Sequence, residues 1–497
     1  MAKNRRNCKF SVLLLLALMG LLAAGCAPAP VSETPSSSSS PSLPTSTISP
    51  SGTPPSETKV PQTPPSTVSP SETPVTQTPS FPIEGMREDE GGWIHLQIGG
   101  DPYKMGFQQG ALLAKEIAEN IRVQDHVLKY QTGSDFQYFK EKAVEFYGEL
   151  VPFELEEEMQ GIADGARIKG VEISYEDILA LNSLIDLYSW WEIEESGQAL
   201  RTHHCSAFIA TGDWTSDGKM VIAHNTWGSY ADFAPWNLIL DIQPKEGHRI
   251  VMQSAPGLIW SGSDFFITDA GLAGCETTLF NFQRFDPKGI PAFLRSRRAM
   301  QYADSLEDFV SLMSEGNNGG YPNAWLLGDI KTNEIARFEQ GLEFTSFQKK
   351  ENGYFAGYNA AEDPNIQGEC GGWTSDDPSN FSGARKVRFQ ELMEEYKGKI
   401  DTEVAKVILQ DHYDTWLKEE NPSSRTICGH YEYKGAPSGA MDSKVTTSGL
   451  ASGMHLWAFW GAPCGTPFSA EALTQNPQYQ WLEGVLKDLP SGQWTLF

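Results

Sequence analysis

Beyond its first two dozen residues, this 497-residue chain has no apolar run approaching the ~20 residues that a membrane-crossing helix needs, so no later segment is expected to span a bilayer. Positive charge is scarce. Lys and Arg number 38 against 64 Asp and Glu, a formal net charge of -26, which argues against nucleic acid as a partner and against direct adhesion to anionic lipid heads. Cysteine is sparse too, with seven in all: Cys8 and Cys26 lie at the N-terminus, and Cys205, Cys275, Cys370, Cys428 and Cys464 lie in the body of the chain. An odd number of five leaves at least one thiol free even in an oxidising compartment, and if the other four pair, three connectivities are open.

What is present at the start is an address. Lys3, Arg5, Arg6 and Lys9 precede an apolar run from Phe10 to Ala24, too short for a lasting membrane span and typical of a signal peptide. The run ends in Leu22-Ala23-Ala24-Gly25-Cys26, which resembles the lipobox of bacterial lipoproteins. Residues 1–25 are therefore expected to be removed, and Cys26 to carry the lipid that anchors an extracytoplasmic protein to the cell membrane. From Ala27 to about Pro82 the chain is almost all Pro, Ser and Thr, a composition that buries too little apolar surface to fold. Such a stalk, extended at ~3.1 Å per residue, reaches on the order of 100 Å from the membrane. Residues 83–497 are rich in aromatics and carry no second low-complexity break, so they are expected to form one large domain.

Within that domain the texture changes once. Leu113, Ile117 and Ile121 recur at helical spacing between Lys104 and Val123, Leu155, Met159 and Ile162 suggest a second helix, and Ser174 with Asp177 reads as a capping box opening a third through Tyr188. The first part, residues 83–204, is thus expected to be mainly helical. After Arg201, short apolar runs broken by turn residues predict a hairpin: Cys205 to Ala210, a turn at Ser216-Asp217-Gly218-Lys219, then Met220 to Ala223. That hairpin places Cys205 and His224 at one end of a sheet. A second hairpin is expected over Asn323 to Ile330 and Ile335 to Gln340, with helices over Phe293 to Met313 and Arg385 to Tyr396. The fold class is α+β.

A nucleophilic cysteine needs a lowered thiol pKa or an adjacent base. Taken alone, Cys205 in His203-His204-Cys205-Ser206-Ala207 also suits a buried structural cysteine, and His224 a hydrogen-bonded core residue. Zinc binding by His203, His204 and Cys205 is disfavoured, because neighbours in a strand point to opposite faces. Asp411-His412-Tyr413-Asp414 has metal-binding residue types but reads as a solvated helical face.

His203-His204-Cys205-Ser206-Ala207, followed by His224-Asn225-Thr226-Trp227 and Tyr230, resembles the phospholipase B-like family. The likeness continues through Ser254-Ala255-Pro256-Gly257, Glu276-Thr277-Thr278, Asn317 to Trp325, Gly357-Tyr358-Asn359, Ala384-Arg385-Lys386 and Asp442-Ser443-Lys444-Val445. Gly106 to Gly110 also resembles the related penicillin acyltransferase family. The resemblance implies an N-terminal nucleophile hydrolase: a four-layer αββα sandwich preceded by a helical segment, cut by itself between His204 and Cys205. Residues 83–204 would then be the upstream chain and 205–497 the nucleophile-bearing chain. It further implies that Cys205 is the nucleophile with its own α-amine as base, that His224 assists it, that Asn359 supplies an oxyanion donor and that Arg385 holds the cysteine end. Thr278, Trp227 and Asn323 would contact substrate.

The expected activity is hydrolysis of amide or ester bonds in acylated small molecules or lipids, with no metal or cofactor called for and no oligomeric state implied. Two alternatives stand beside it: an acyltransferase, and a non-catalytic surface-binding lipoprotein. The acyltransferase relatives carry Asn-Trp-Asp where this chain has Asn225-Thr226-Trp227-Gly228, which counts against the first.

Overall fold

A computed structural model describes residues 84–197, 205–262, 265–433 and 436–497. The signal peptide, Cys26, the stalk, the His203-His204 pair and Ser263-Asp264 lie outside the described residues. The described chain opens on a hairpin that the helical reading of this region did not include. Its strands, β1 (Met86–Glu90) and β2 (Trp93–Gly100), are joined through Gly91 and Gly92, both at positive φ. Four helices follow: α1 (Pro102–Thr132), α2 (Phe136–Tyr147), α3 (Phe153–Arg167) and α4 (Tyr175–Trp190). Asp101 caps α1 by accepting from Lys104 N, and Ser174 and Asp177 form the expected capping box on α4. Helices α1 and α3 meet backbone to backbone. A Cβ on Gly110 would fall 2.0 Å from the Ile162 carbonyl oxygen, so that crossing admits no side chain.

The expected hairpin is β3 (Ser206–Thr211) and β4 (Val221–Ser229), antiparallel with Ser206 opposite Asn225 and Ala207 opposite His224. Strands β5 (Leu238–Pro244), β6 (Ile250–Ser254), β7 (Phe265–Thr268) and β8 (Leu272–Thr278) come next. The single helix expected over Phe293 to Met313 is two, α5 (Ala292–Tyr302) and α6 (Leu306–Ser314). The break has a local cause. Ser305 accepts from Asp308 N and so caps a new helix in place of extending the old one.

The second hairpin is formed by β9 (Asn323–Asp329) and β10 (Glu334–Gln340), followed by β11 (Thr345–Lys350) and β12 (Gly353–Gly357). Helices α7 (Pro364–Glu369), α8 (Phe381–Glu395) and α9 (Thr402–Leu409) lead to a short hairpin of β13 (Tyr413–Asp414) and β14 (Glu419–Glu420). Asp411 to Asp414 is therefore not helical. The Asp411 carboxylate accepts from Tyr413 N, and that of Asp414 from Trp416 N and Leu417 N, turns that compete with helix. The chain closes with β15 (His430–Tyr433), β16 (Ala436–Thr447), β17 (Trp457–Trp460) and β18 (Trp494–Leu496).

These strands make two large sheets, so the protein is α+β as expected. One runs β1-β2-β5-β6-β7-β8-β9-β10-β11; the other runs β12-β3-β4-β16-β17-β18, with β15 also paired to β16. Along β3 and β4 the side chains divide by alternation. Ala207, Ile209 and Ile222 pack in a core shared with the first sheet, whereas Phe208, Ala210, Val221 and Ala223 pack with Phe389 of α8 and Ile408 of α9. Coverage on both faces explains why β4 is buried at every position, polar residues included.

Candidate functional site

Cys205 stands immediately before β3 and is 3% exposed, with its Sγ 3.9 Å from the carbonyl oxygen of Trp227 on the neighbouring strand. Its own carbonyl is gripped from α8. Arg385, fully buried one turn into that helix, donates from Nη1 to the Cys205 carbonyl at 2.7 Å and to Ser206 Oγ at 3.1 Å. The same guanidinium donates from Nη2 to the Tyr358 carbonyl at 3.1 Å and to Asn359 Oδ1 at 2.8 Å, and from Nε to the Phe381 carbonyl at 3.0 Å. A planar fork with five fixed N–H donors is the side chain suited to such a junction.

Asn359 follows β12 with φ of 62°, a left-handed conformation that asparagine tolerates better than most residues. Its Nδ2 donates to the Thr278 carbonyl at 2.8 Å, which commits one of the two amide hydrogens and leaves the other able to donate. Cys205, Arg385, Asn359 and Thr278 are thereby joined in one hydrogen-bonded chain although they come from four separate segments. The sheets approach closely here: a Cβ on Gly357 would lie 2.5 Å from Thr277 Cγ2.

His224 belongs to the polar layer between the sheets. It stands opposite Ala207 on one side and Lys444 on the other, fully buried. Burial first and the Lys444 charge second hold its pKa well below the ordinary histidine value, so the imidazole is neutral. Next to it, Lys444 pairs with Asp442 and donates to Thr226 Oγ1. Gln253 of the first sheet donates to the other Asp442 oxygen at 2.7 Å and accepts from Thr226, tying the two sheets together. This network escaped the sequence reading. Its signal was there: opposite charges at Asp442 and Lys444, two apart in a strand, share one face.

The three expected substrate contacts fall differently. Thr278 and Asn323 are paired on β8 and β9, where Tyr321 Oη donates to Glu276 at 3.0 Å and the Asn323 amide, with its nitrogen turned inward, donates to the same carboxylate. Trp227 is buried, against Gly429 and 5.9 Å from the Arg385 guanidinium.

A mainly apolar cavity of about 100 Å³ is lined, among others, by Leu128, Leu181, Phe233, Trp236 and Trp260. Trp260 meets Tyr321 edge to face at 6.1 Å. Asp232 also lines this cavity, with Oδ1 shielded from solvent, and burial pushes its carboxyl up to about 7. Because the folded value lies above the usual carboxylate range, the native state favours the protonated form. The stability that proton confers is full below about pH 4 and is lost as pH rises towards and through 7. Asp232→Asn is therefore expected to be nearly neutral at pH 4 and stabilising by roughly 2–4 kcal/mol at pH 8. Denaturant unfolding of both proteins at the two pH values checks it; an equal effect at both would show that Asp232 is not held protonated.

The phospholipase B family model matches residues 153–348, from the start of α3 into β11, and so includes Cys205, His224, Thr278 and Asn323 but not Asn359 or Arg385. Over that stretch the chain is similar to the phospholipase B family. It is 27% identical over 322 residues to phospholipase-B 81 of Drysdalia coronoides, covering 57% of this chain and 54% of that protein. It is 28% identical to phospholipase B of Crotalus adamanteus, with 52% of each chain covered. An uncharacterized protein of Archaeoglobus fulgidus shares 32% identity over 48% of this chain and 42% of its own length. The matched stretch thus spans about half the length of these curated relatives. No helix among the described residues is long and apolar enough to cross a membrane.

Proposed function

We propose that this chain is a self-processing cysteine hydrolase of the N-terminal nucleophile type, cleaving ester or amide bonds of acylated substrates, with lipids foremost. On this reading the two facing sheets and the helices outside them are the αββα sandwich of that class, and Cys26 holds the domain to a membrane surface. The observation that carries the reading is the double grip of Arg385. One guanidinium fixes the carbonyl of Cys205 and the amide of Asn359, a candidate nucleophile and a candidate oxyanion donor.

The chemistry follows from that placement. In maturation, Cys205 Sγ attacks the carbonyl carbon of His204, the peptide C–N bond breaks and a thioester forms. Water then hydrolyses the thioester, leaving a carboxylate on His204 and a free thiol and α-amine on Cys205. Arg385 binds the peptide downstream of the cut, so its hold survives cleavage. In turnover the amine, whose ordinary pKa is near ~8, takes the thiol proton and the thiolate attacks the acyl carbon. The remaining Asn359 N–H faces the charge that develops on oxygen. The protonated amine returns its proton to the leaving alcohol or amine, and water releases the acyl group as an acid. The apolar cavity suits a hydrocarbon chain, and the names of the two phospholipase B relatives point to phospholipid esters.

The test is N-terminal sequencing of the purified full chain after a denaturing gel, followed by fatty-acid release from phosphatidylcholine vesicles. A fragment starting at Cys205 together with acid release is the expected result. A single intact chain that releases no acid overturns the proposal.

A further inference from the structure

Behind the nucleophile strand, four metal-ligating side chains from three segments converge. His412 lies in the loop after α9, Cys428 and His430 lead into β15, and Cys464 follows β17. One ligand atom from each lies within 4.8 Å of all the others. His430 Nε2 is 3.6 Å from Cys428 Sγ and 3.3 Å from Cys464 Sγ. Tetrahedral zinc, with bonds of ~2.3 Å to sulfur and ~2.0 Å to nitrogen, sets its ligands about 3.3–3.8 Å apart, so these distances are those of a coordination tetrahedron's edges. His412 Nε2 is shielded from solvent, and its ring meets that of His430 at 68° rather than stacking flat on it.

We propose that His412, Cys428, His430 and Cys464 form a structural zinc site. Two thiolates and two imidazoles with no carboxylate select zinc over magnesium, calcium or manganese. Four protein ligands close the coordination sphere and leave no position for substrate, which makes the ion a clamp and not a reagent. What it clamps is next to the chemistry. Asn225 of β4 donates to the Leu409 and Ile427 carbonyls, on the segments that carry His412 and Cys428. Gly429, between Cys428 and His430, packs on Trp227, whose carbonyl faces the Cys205 thiol. The site thus braces β4 from its outer side. It was illegible as a motif because its members are strung over the chain from 412 to 464 with a single residue between Cys428 and His430.

The inference is independent of the hydrolase reading, and its test reads metal, not activity. Elemental analysis of the dialysed full chain is expected to find about one zinc per molecule, and refolding with cobalt(II) alone to give the intense visible absorption of a tetrahedral thiolate site. Cys464→Ser and His430→Ala are expected to lose the metal, and Cys205→Ala to keep it. Should either variant fail to fold, titrating Cys205→Ala with a mercurial while following released zinc, and mapping the modified thiols by peptide mass, gives the same answer, with zinc freed as Cys428 and Cys464 are modified. Absence of zinc with both thiols titratable, a Cys428–Cys464 disulfide in unreduced peptides, or full zinc retention in Cys464→Ser each overturns the proposal.

Discussion

Cys205→Ala is expected to accumulate as one uncut chain and to lose acyl hydrolysis by about 10⁴-fold or more, the scale on which enzymes fall when a covalent nucleophile is removed. Sγ does two jobs in the proposed mechanism, opening the His204–Cys205 bond and then carrying the acyl group, so its loss is felt twice. Stability is expected to change little, because trimming one buried sulfur beside Ala207 leaves a cavity costing about 1 kcal/mol. Cys205→Ser separates the two jobs. A hydroxyl is a far weaker nucleophile than a thiolate near neutral pH, so this variant is expected to cut itself slowly and, once cut, to turn over slowly. Time courses on denaturing gels measure the first rate, and fatty-acid release from the matured fraction measures the second. Wild-type activity in Cys205→Ala at an unchanged unfolding midpoint would remove Cys205 from the mechanism altogether.

Local pattern carried much of the architecture and little of the site. The β3–β4 and β9–β10 hairpins were readable because apolar alternation stops at strong turn residues, and α4 because its capping box is written in four consecutive positions. β1 was not readable, since Met-Arg-Glu-Asp-Glu has no apolar face and becomes a strand only by pairing with β2 at the edge of a sheet. The α5–α6 break was hidden because the apolar stripe of α6 continues the helical spacing of α5, and only the Ser305 side chain decides against continuity. Cys205 and His224 could be placed together from the hairpin, but their chemistry came from the family resemblance alone. Arg385 lies 180 residues from the carbonyl it holds, and no periodicity reports a contact made at that separation. The Asp442–Lys444 pair and the four-ligand cluster behind β4 are likewise products of topology.

The distance between Cys205 and Arg385 is also why Arg385 is the sharper test of the assembled site. Arg385→Ala removes five hydrogen bonds at once and leaves the Cys205, Tyr358 and Phe381 carbonyls and Asn359 Oδ1 in a dry interior without that donor. A loss of about 3–5 kcal/mol is expected, read as a lower denaturant midpoint, and with it a failure to self-cleave. That variant alone cannot separate positioning from folding. Arg385→Lys can, because it keeps the charge and the aliphatic stem but replaces a planar fork with a single ammonium that cannot reach Cys205 and Asn359 in the same geometry. It is expected to fold with a smaller penalty and yet cut itself at least ~10²-fold more slowly, since a misplaced reacting group costs that much in rate even when every reacting atom is present. Matured Arg385→Lys should also lose kcat more than KM, because the proposed oxyanion contact from Asn359 would matter in the transition state and not in substrate binding. Self-cleavage of Arg385→Lys at the wild-type rate would show that the guanidinium holds the fold and does not aim the nucleophile.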